Sequence, residues 1–222
     1  MTLNWNVPNE KYYSNGLSKV ILYPGDSAPN AETGVAWEGV ITIDETPTGG
    51  DYNKLWANNQ EYTQLVSDQK MEGKIECYQY PELFNKALGV VTHNGFKFDA
   101  QGRTPVHLFY QTLLHSEGGG ENVDFKFTWL YNLMVKPNDV NNQTVNESPE
   151  AITFSFDFET RKLPVQSPAN TLPTSKIGID TRYVDPVTRA DLLAHLDDLV
   201  FVDGAFLDPG GVLALALVGS DP

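Results

Sequence analysis

The sequence predicts a mainly β fold with one flanking α-helix and long loops, and two patterns support this prediction. Between Val123 and Val135 every second residue is apolar, and the same period recurs between Ile152 and Phe158. Such a period is typical of a strand, because successive side chains face opposite sides of a sheet. Short apolar runs elsewhere are bounded by Gly, Pro, Asn or Asp clusters that favour turns. We expect a single domain over residues 1–222, with 204–222 as a candidate C-terminal extension.

Eight strands are predicted from these patterns. They cover residues 19–23, 37–44, 55–66, 74–80, 106–114, 123–135, 152–158 and 177–183. The segment 56–65 fits a helix as well as a strand. The connector 116–122 has a glycine tip and should join two antiparallel strands as a hairpin. The polar or Pro-rich segments 138–149 and 163–173 are predicted to be long loops.

Two segments carry helix signals. Asp185 is a good N-cap and Pro186 suits the first helical position, so a helix with one apolar stripe is expected to run from there until Gly204. A shorter helix is predicted from Pro81 to Leu88, because proline stands at its start and Gly89 just after its end.

Composition excludes several classes of function. The 222 residues include 29 acidic and 15 basic side chains, a net charge of −14. This balance argues against direct nucleic-acid affinity, which depends on Lys and Arg neutralising phosphates. The single cysteine, Cys77, cannot form an intramolecular disulfide. The amino terminus has no basic segment followed by an apolar one, as a secretory leader would, and the apolar run Val212–Val218 is too short to cross a bilayer. We therefore expect a protein that folds in the cytoplasm.

One acidic pair is a candidate for catalysis. Asp157 and Glu159 are two residues apart on a predicted strand, which places both carboxylates on one face about 7 Å apart. That spacing would suit a glycosidase, and the solvated face of an amphipathic strand explains it equally well. The histidines lack metal-ligand spacing, Cys77 has no neighbouring base, and no phosphate-binding glycine motif is present. The sequence therefore predicts no catalytic, cofactor or metal site, and a protein that is not an enzyme.

Several ordered stretches resemble one known family. They are 34–40 (GVAWEGV), 45–50 (ETPTGG), 55–62 (LWANNQEY), 73–84 (GKIECYQYPELF), 103–105 (RTP) with 110–112 (YQT), and 146–155 (NESPEAITFS). In this order they are similar to the major tail tube proteins of long-tailed, non-contractile bacteriophages.

The resemblance implies a tail-tube-type β-sandwich or barrel whose subunits form stacked hexameric rings. In that family the inner strands join into one β-lined channel for DNA ejection. The expected partners are further copies of the chain, a tape-measure protein, and tail terminator and distal tail proteins. Genomic DNA would pass through the lumen without specific binding, because an acidic wall repels phosphates. The expected location is the virion tail, assembled in the host cytoplasm without a membrane.

Glycine-rich loops are the predicted contacts between rings, since such loops can order on assembly. The predicted residues are Gly49, Gly50, Asp51, Gly118, Gly119 and Gly120. Three alternatives stay open: a secretion-tube subunit of the same fold, a carbohydrate-binding β-sandwich module, and a sandwich hydrolase using Asp157 and Glu159. The four Trp and ten Tyr residues would let a sugar-binding module stack on sugar rings.

Overall fold

A computed structural model describes residues 11–25, 34–100, 102–116, 124–140, 142, 151–166, 171–184, 201–202 and 205–206. The strands are β1 (Tyr12–Pro24), β2 (Val35–Ala36), β3 (Val40–Thr48), β4 (Tyr52–Ala57), β5 (Gln60–Val66), β6 (Lys70–Cys77), β7 (Val90–His93), β8 (Phe96–Asp99), β9 (Val106–Ser116), β10 (Asp124–Pro137), β11 (Phe154–Thr160), β12 (Leu163–Gln166), β13 (Thr171–Thr174), β14 (Lys176–Asp180), β15 (Phe201–Val202) and β16 (Ala205–Phe206). The helix α1 is Phe84–Leu88, and Thr181–Tyr183 forms a 3-10 turn.

Eight strands form the main sheet, in the order β2-β1-β9-β10-β11-β6-β3, with β14 also paired to β10. Every strand pairing is antiparallel. The remaining strands form four separate two-stranded hairpins: β4-β5, β7-β8, β12-β13 and β15-β16. The predicted mainly β fold with one helix is therefore confirmed over the described residues.

Strand β10 belongs to two layers of this sheet. One of its edges pairs with β9, while the other pairs first with β14 and then, from Leu133 onward, with β11. The change occurs at a β-bulge between Leu130 and Leu133, where Asn132 has a φ of 55°. The backbone N–H of Asn132 donates to His107 Nδ1 at 3.1 Å, so the bulge does not leave that group unpaired. β10 thus connects a first layer, β1-β9-β10-β14, to a second layer, β10-β11-β6-β3.

The bulge changes which face of β10 each side chain occupies. Phe127 and Trp129 belong to an aromatic cluster on one face of the first layer, whereas Leu133 and Val135 belong to the core shared by both layers. All four have odd numbers, so the expectation of one continuous apolar face is wrong beyond the bulge. Thr128, a polar residue that lies between Phe127 and Trp129, is only 1% exposed. The first layer is buried on both faces, which alternation alone does not reveal.

The short helix closes one side of the core. Phe84 packs against Trp37 and Phe156 with ring centroids 4.6 and 4.8 Å apart. Gly89 ends the helix with a φ of 76°, a left-handed conformation that glycine adopts without strain. The predicted helix at 81–88 is therefore confirmed over its second half. No helix within the described segments is long and apolar enough to span a membrane.

Other predicted segments differ from the structure in specific ways. The segment 163–173 is not a continuous loop, because β12 and β13 pair there as a hairpin. The segment 55–66, predicted as one strand with 56–65 equally compatible with a helix, is β-structure but is divided between β4 and β5 by a turn at Asn58 and Asn59. Most of the predicted helix up to Gly204 lies outside the described residues, and its described part, Phe201–Val202, is strand β15. The predicted connector 116–122 also lies outside them, apart from Ser116, which ends β9.

Candidate assembly surfaces

The β4-β5 hairpin is the most exposed part of the described chain. Asn58 and Asn59 turn the chain with φ angles of 52° and 63°, the paired positive values that a tight two-residue hairpin turn requires. Lys54 and Glu61 form a cross-strand ion pair at 2.8 Å. Every residue of both strands is exposed, although the hairpin carries large apolar side chains. Within the described residues, no segment of the chain covers this hairpin.

Apolar side chains occur on both faces of the β4-β5 hairpin. Tyr52 pairs with Val66 on the face that also carries Trp56, while Leu55 and Leu65 alternate with them and occupy the opposite face. Tyr52 and Trp56 are 69% and 67% exposed. An isolated two-stranded hairpin is only marginally stable in water, and contiguous exposed apolar surface on a soluble monomer marks an interaction site. Both faces are therefore suited to contact with other molecules.

The predicted ring contact at Gly49, Gly50 and Asp51 lies at the foot of this hairpin rather than at its tip. The backbone N–H of Asp51 donates to Ser67 Oγ at 2.9 Å, and Ser67 N–H donates to the Asp51 carbonyl at 3.0 Å. A Cβ atom on Gly49 would lie 2.2 Å from the carbonyl oxygen of Asp68. These residues therefore anchor the hairpin, and their contact between rings stays a prediction.

The other predicted ring contact cannot be placed. Gly118, Gly119 and Gly120 lie outside the described residues.

A second hairpin, β7-β8, also carries exposed apolar groups. Val91 pairs with Phe98 and His93 with Phe96, so these four side chains share one face. The rings of Phe96 and Phe98 are stacked with centroids 6.5 Å apart, and both remain more than half exposed. Asn94 and Gly95 form its turn with positive φ angles. This hairpin was not predicted from the sequence, because its four-residue strands are too short for a period to stand out.

The outward face of the second layer is charged. Asp44, Lys74, Asp157 and Lys136 are directly opposite one another on β3, β6, β11 and β10, so their signs alternate across the layer. The hydrogen bond and charge of the Glu76 carboxylate raise the pKa of the Lys74 ammonium, and the charges of Asp157 and Asp44 contribute less in the same direction. Ion pairs between solvent-exposed side chains contribute little to stability. This face is therefore better explained as a hydrated functional surface than as a feature that stabilises the fold.

A shallow groove of about 770 Å³ crosses this charged face. Asp157 and Glu159 line it together, which confirms that the two carboxylates share a face. Each carboxylate already has a polar partner: Asp157 accepts a hydrogen bond from Asn138 at 2.9 Å, and Glu159 pairs with Lys70 at 2.5 Å. Both carboxylates are exposed to solvent, so the pair lacks the apolar enclosure that is typical of an acid catalyst.

Three polar side chains, one buried and two partly buried, hold the two layers together. Glu45 on β3 accepts a hydrogen bond from the hydroxyl of Tyr110 on β9 and pairs with Lys176 on β14. Burial, and then the neighbouring Glu45 carboxylate, raises the pKa of the Tyr110 phenol above its ordinary range. The phenol therefore stays protonated and continues to donate. This contact connects β3 of the second layer to β9 and β14 of the first.

The remaining titratable candidates have structural surroundings. Burial raises the pKa of the Cys77 thiol to about 11, so the thiol is an inert core group rather than a nucleophile. Burial also lowers the pKa of His107 to about 4, which keeps its ring neutral as the acceptor for Asn132. Within the described residues, no cluster of His, Cys, Asp or Glu is arranged to hold a metal ion.

Sequence reasoning missed two groups of surface residues. Trp56 and Tyr62 flank the Asn-Asn turn, and that dipeptide between two apolar runs is itself a hairpin signal. Asp44 and Lys136 carry no local signal, because their common face depends on the strand order.

Comparison with known proteins adds no relative: no protein-family model matches the chain, and no curated protein matches it.

Proposed function

We propose that this chain is a structural subunit of a bacteriophage tail tube, assembling as stacked hexameric rings that form the channel for DNA ejection. The observation that carries the proposal is the β4-β5 hairpin, whose apolar side chains are exposed on both faces. A hairpin of this kind gains stability when other copies of the chain cover it. The ordered resemblance to tail tube proteins points to the same kind of assembly.

The charged face of the second layer is suited to be the channel wall. Its acids are Asp44, Glu72, Glu76, Asp157 and Glu159, and its bases are Lys70, Lys74 and Lys136. This face is much closer to neutrality than the net charge of −14 would suggest. Mixed charges offer DNA phosphates neither a continuous basic track to bind nor a strongly acidic barrier. DNA would therefore pass without specific binding.

The proposal includes the partners that a tail tube requires. Other copies of the chain form the rings, and a tape-measure protein would lie inside the growing tube. Tail terminator and distal tail proteins would contact its two ends. Assembly would take place in the host cytoplasm, and the product would be part of the virion.

Assembly of the purified chain tests the proposal. Sedimentation velocity and negative-stain microscopy across a concentration series should show rings and hollow tubes for the wild-type chain. Replacing Trp56 and Tyr62 together by serine should leave folded monomers, because the hairpin would lose two of its three exposed aromatic groups. Tyr183→Ser is the matched control, since Tyr183 is 84% exposed outside both hairpins. A wild-type chain that stays monomeric would contradict the proposal.

One observation favours a second candidate, a carbohydrate-binding module. Tyr52 and Trp56 share a face of the β4-β5 hairpin, where both could stack on sugar rings. This candidate predicts a monomer that is retained on an insoluble polysaccharide and released by Trp56→Ala. Retention without assembly would favour it over the tube.

A further inference from the structure

The first layer has an aromatic face, which is the face directed away from the second layer. Its buried members are Tyr23, Phe109, Phe127, Trp129 and Tyr131, and each of them is at most 1% exposed. The ring of Trp129 lies 5.1 Å from that of Phe109 and 6.3 Å from that of Phe127. A sheet face is withdrawn from water only when another layer packs on it, and the second layer covers only the opposite face.

The described residues do not supply the cover of this aromatic face. Most of the cluster belongs to the sheet itself, in two rows that cross the strands: Ile21-Phe109-Trp129-Ile177 and Gln111-Phe127-Ile179. Apart from the strands of this layer, only Leu163 and Val184 pack against the cluster within the described residues. Two aliphatic side chains are too small to withdraw five large aromatic side chains from water. The rest of the cover therefore comes from residues outside the described ranges.

The segment 185–200 (DPVTRADLLAHLDDLV) has the pattern that such a cover needs. Five apolar residues recur at helical spacing and form one stripe: Leu192, Leu193, Leu196, Leu199 and Val200. Successive residues of a helix are about 100° apart, which places Asp191, Asp197 and Asp198 on the other side. A helix over this segment would therefore have one face for an apolar partner and one face for water.

The position of this segment in the chain also fits. Strand β14 lies beside β10 in the first layer, and the 3-10 turn Thr181–Tyr183 leads from its end to Val184. The side chain of Val184 already packs against the aromatic cluster. The chain thus enters residue 185 at the face that needs a cover, and no linker has to be crossed.

Two other segments outside the described ranges are apolar, but their period differs. In the segment 1–10, Leu3, Trp5 and Val7 alternate with other residues, and between 212 and 218 Leu213, Leu215 and Leu217 alternate with smaller ones. A period of two favours a strand rather than a helix that lies across a sheet face. The segments 26–33, 117–123 and 143–150 are largely polar. The segment 185–200 is therefore the best candidate.

We propose that residues 186–200 form an amphipathic helix that packs its leucine stripe on the aromatic face of the first layer of the same chain. Each subunit then has three layers, with this helix on one outer side and the charged face of the second layer on the other. The inference does not rest on the proposed function, because a monomer and a tube subunit need the same cover. In the proposed tube, the three aspartates of the helix lie on the side of the subunit away from the channel wall.

Urea unfolding of the full chain, at a concentration where it is monomeric, tests the cover. Leu196→Ala should raise the equilibrium constant for unfolding about 30-fold or more, because it leaves a cavity against the aromatic face. Val187→Ala is the matched control, since it also truncates an aliphatic side chain but lies on the aspartate side of the same helix. It should change the constant less than about threefold. Equal effects of the two variants would overturn the proposal.

A double-mutant cycle locates the contact and uses milder changes that keep the fold. When Leu196→Val is combined with Trp129→Phe, the change in the unfolding constant should differ from the product of the single changes by more than about threefold, because residues in contact do not act independently. Ile75→Val is the matched partner, since Ile75 is buried in the core on the other face of the first layer. Its combination with Leu196→Val should match the product within about twofold. Simple products in both cycles would contradict the contact.

Leu215→Ala tests the rival cover from the terminal apolar run. A strong effect of this variant with a weak effect of Leu196→Ala would overturn the proposal and assign the cover to residues 212–218. Because all these measurements use the monomer, failure of the cover leaves the tube proposal untouched. A wild-type chain that never forms tubes contradicts the proposed function and leaves the predicted unfolding constants unchanged.

Discussion

The central strands β9 and β10 and the β4-β5 hairpin are built from similar side chains but have opposite surroundings. Trp129 on β10 is completely buried, with Phe109 at 5.1 Å, whereas Trp56 on β4 is 67% exposed. In both regions, successive side chains alternate between the two faces of a strand, and both regions contain aromatic residues. The difference shows that one part of the apolar surface is covered by the chain itself, while another stays exposed to solvent within the described residues.

The largest expected effect comes from the covered region. Trp129→Ala should lower the free energy of unfolding by about 3–5 kcal/mol, because it leaves a large cavity in the aromatic cluster. Urea unfolding followed by circular dichroism would measure the change. Trp129→Phe should cost much less, since it keeps most of the packing and removes an indole N–H that has no partner in the described residues. Equal losses for the two variants would contradict this explanation.

His107, which accepts a hydrogen bond at the β10 bulge, should make the free energy of unfolding depend on pH, with an effect of intermediate size. Burial lowers the pKa of His107 to about 4 from the usual 6.5, so the unfolded chain takes up a proton that the folded chain resists. This contribution to stability is complete above pH 6.5 and is lost progressively as the pH falls toward 4. Between pH 7 and pH 5 the loss should be about 2 kcal/mol.

Urea unfolding at several pH values would measure this loss, with His107→Gln as the test variant. Its stability should fall less over the same range, because glutamine does not titrate. His93→Gln should behave as the wild type does, since His93 is exposed. A His107→Gln variant with the full wild-type pH dependence would show that another group is responsible.

The foot of the exposed hairpin should give a smaller effect. Gly49→Ala and Gly50→Ala both place alanine at a φ near 80°, which should cost about 1 kcal/mol each. Gly49→Ala should cost more, because its Cβ would collide with the Asp68 carbonyl, whereas a Cβ on Gly50 meets nothing within 4 Å. Hydrogen exchange of residues 52–66 should therefore accelerate more in Gly49→Ala. The reverse order would contradict the close contact at Gly49.

The smallest effect on folding is expected at the hairpin itself. Trp56→Ala should change the unfolding free energy of the monomer by less than about 0.5 kcal/mol, because the side chain contributes little to the core. Urea unfolding of the monomer at low concentration is the measurement. A loss similar to that of Trp129→Ala would mean that the hairpin is covered by its own chain.

Local patterns in the sequence were sufficient for most of the main sheet. Alternation located β9, β10 and β11, and the Pro81 and Gly89 signals located the short helix. Alternation could not reveal the change of face at Asn132, because a bulge alters the pairing without interrupting the apolar pattern. The Pro-rich composition of 163–173 predicted a loop there, because residues such as Pro164 and Pro173 are unusual in a pair of strands.

The candidate surfaces were predicted less completely than the fold. Gly49, Gly50 and Asp51 lie close to the exposed hairpin, but their geometry identifies them as its anchor. The charged row that includes Asp44 and Lys136 joins residues far apart in the sequence. Such a row depends on the order and register of four strands, which local periods do not specify.

Cryo-electron microscopy of the concentrated wild-type chain tests the central claim most directly. The account predicts a hollow tube in which the charged face of the second layer lines the lumen and the β4-β5 hairpin is covered by neighbouring copies. Particles that remain single subunits at every concentration, with Trp56 and Tyr62 still exposed to solvent, would contradict it.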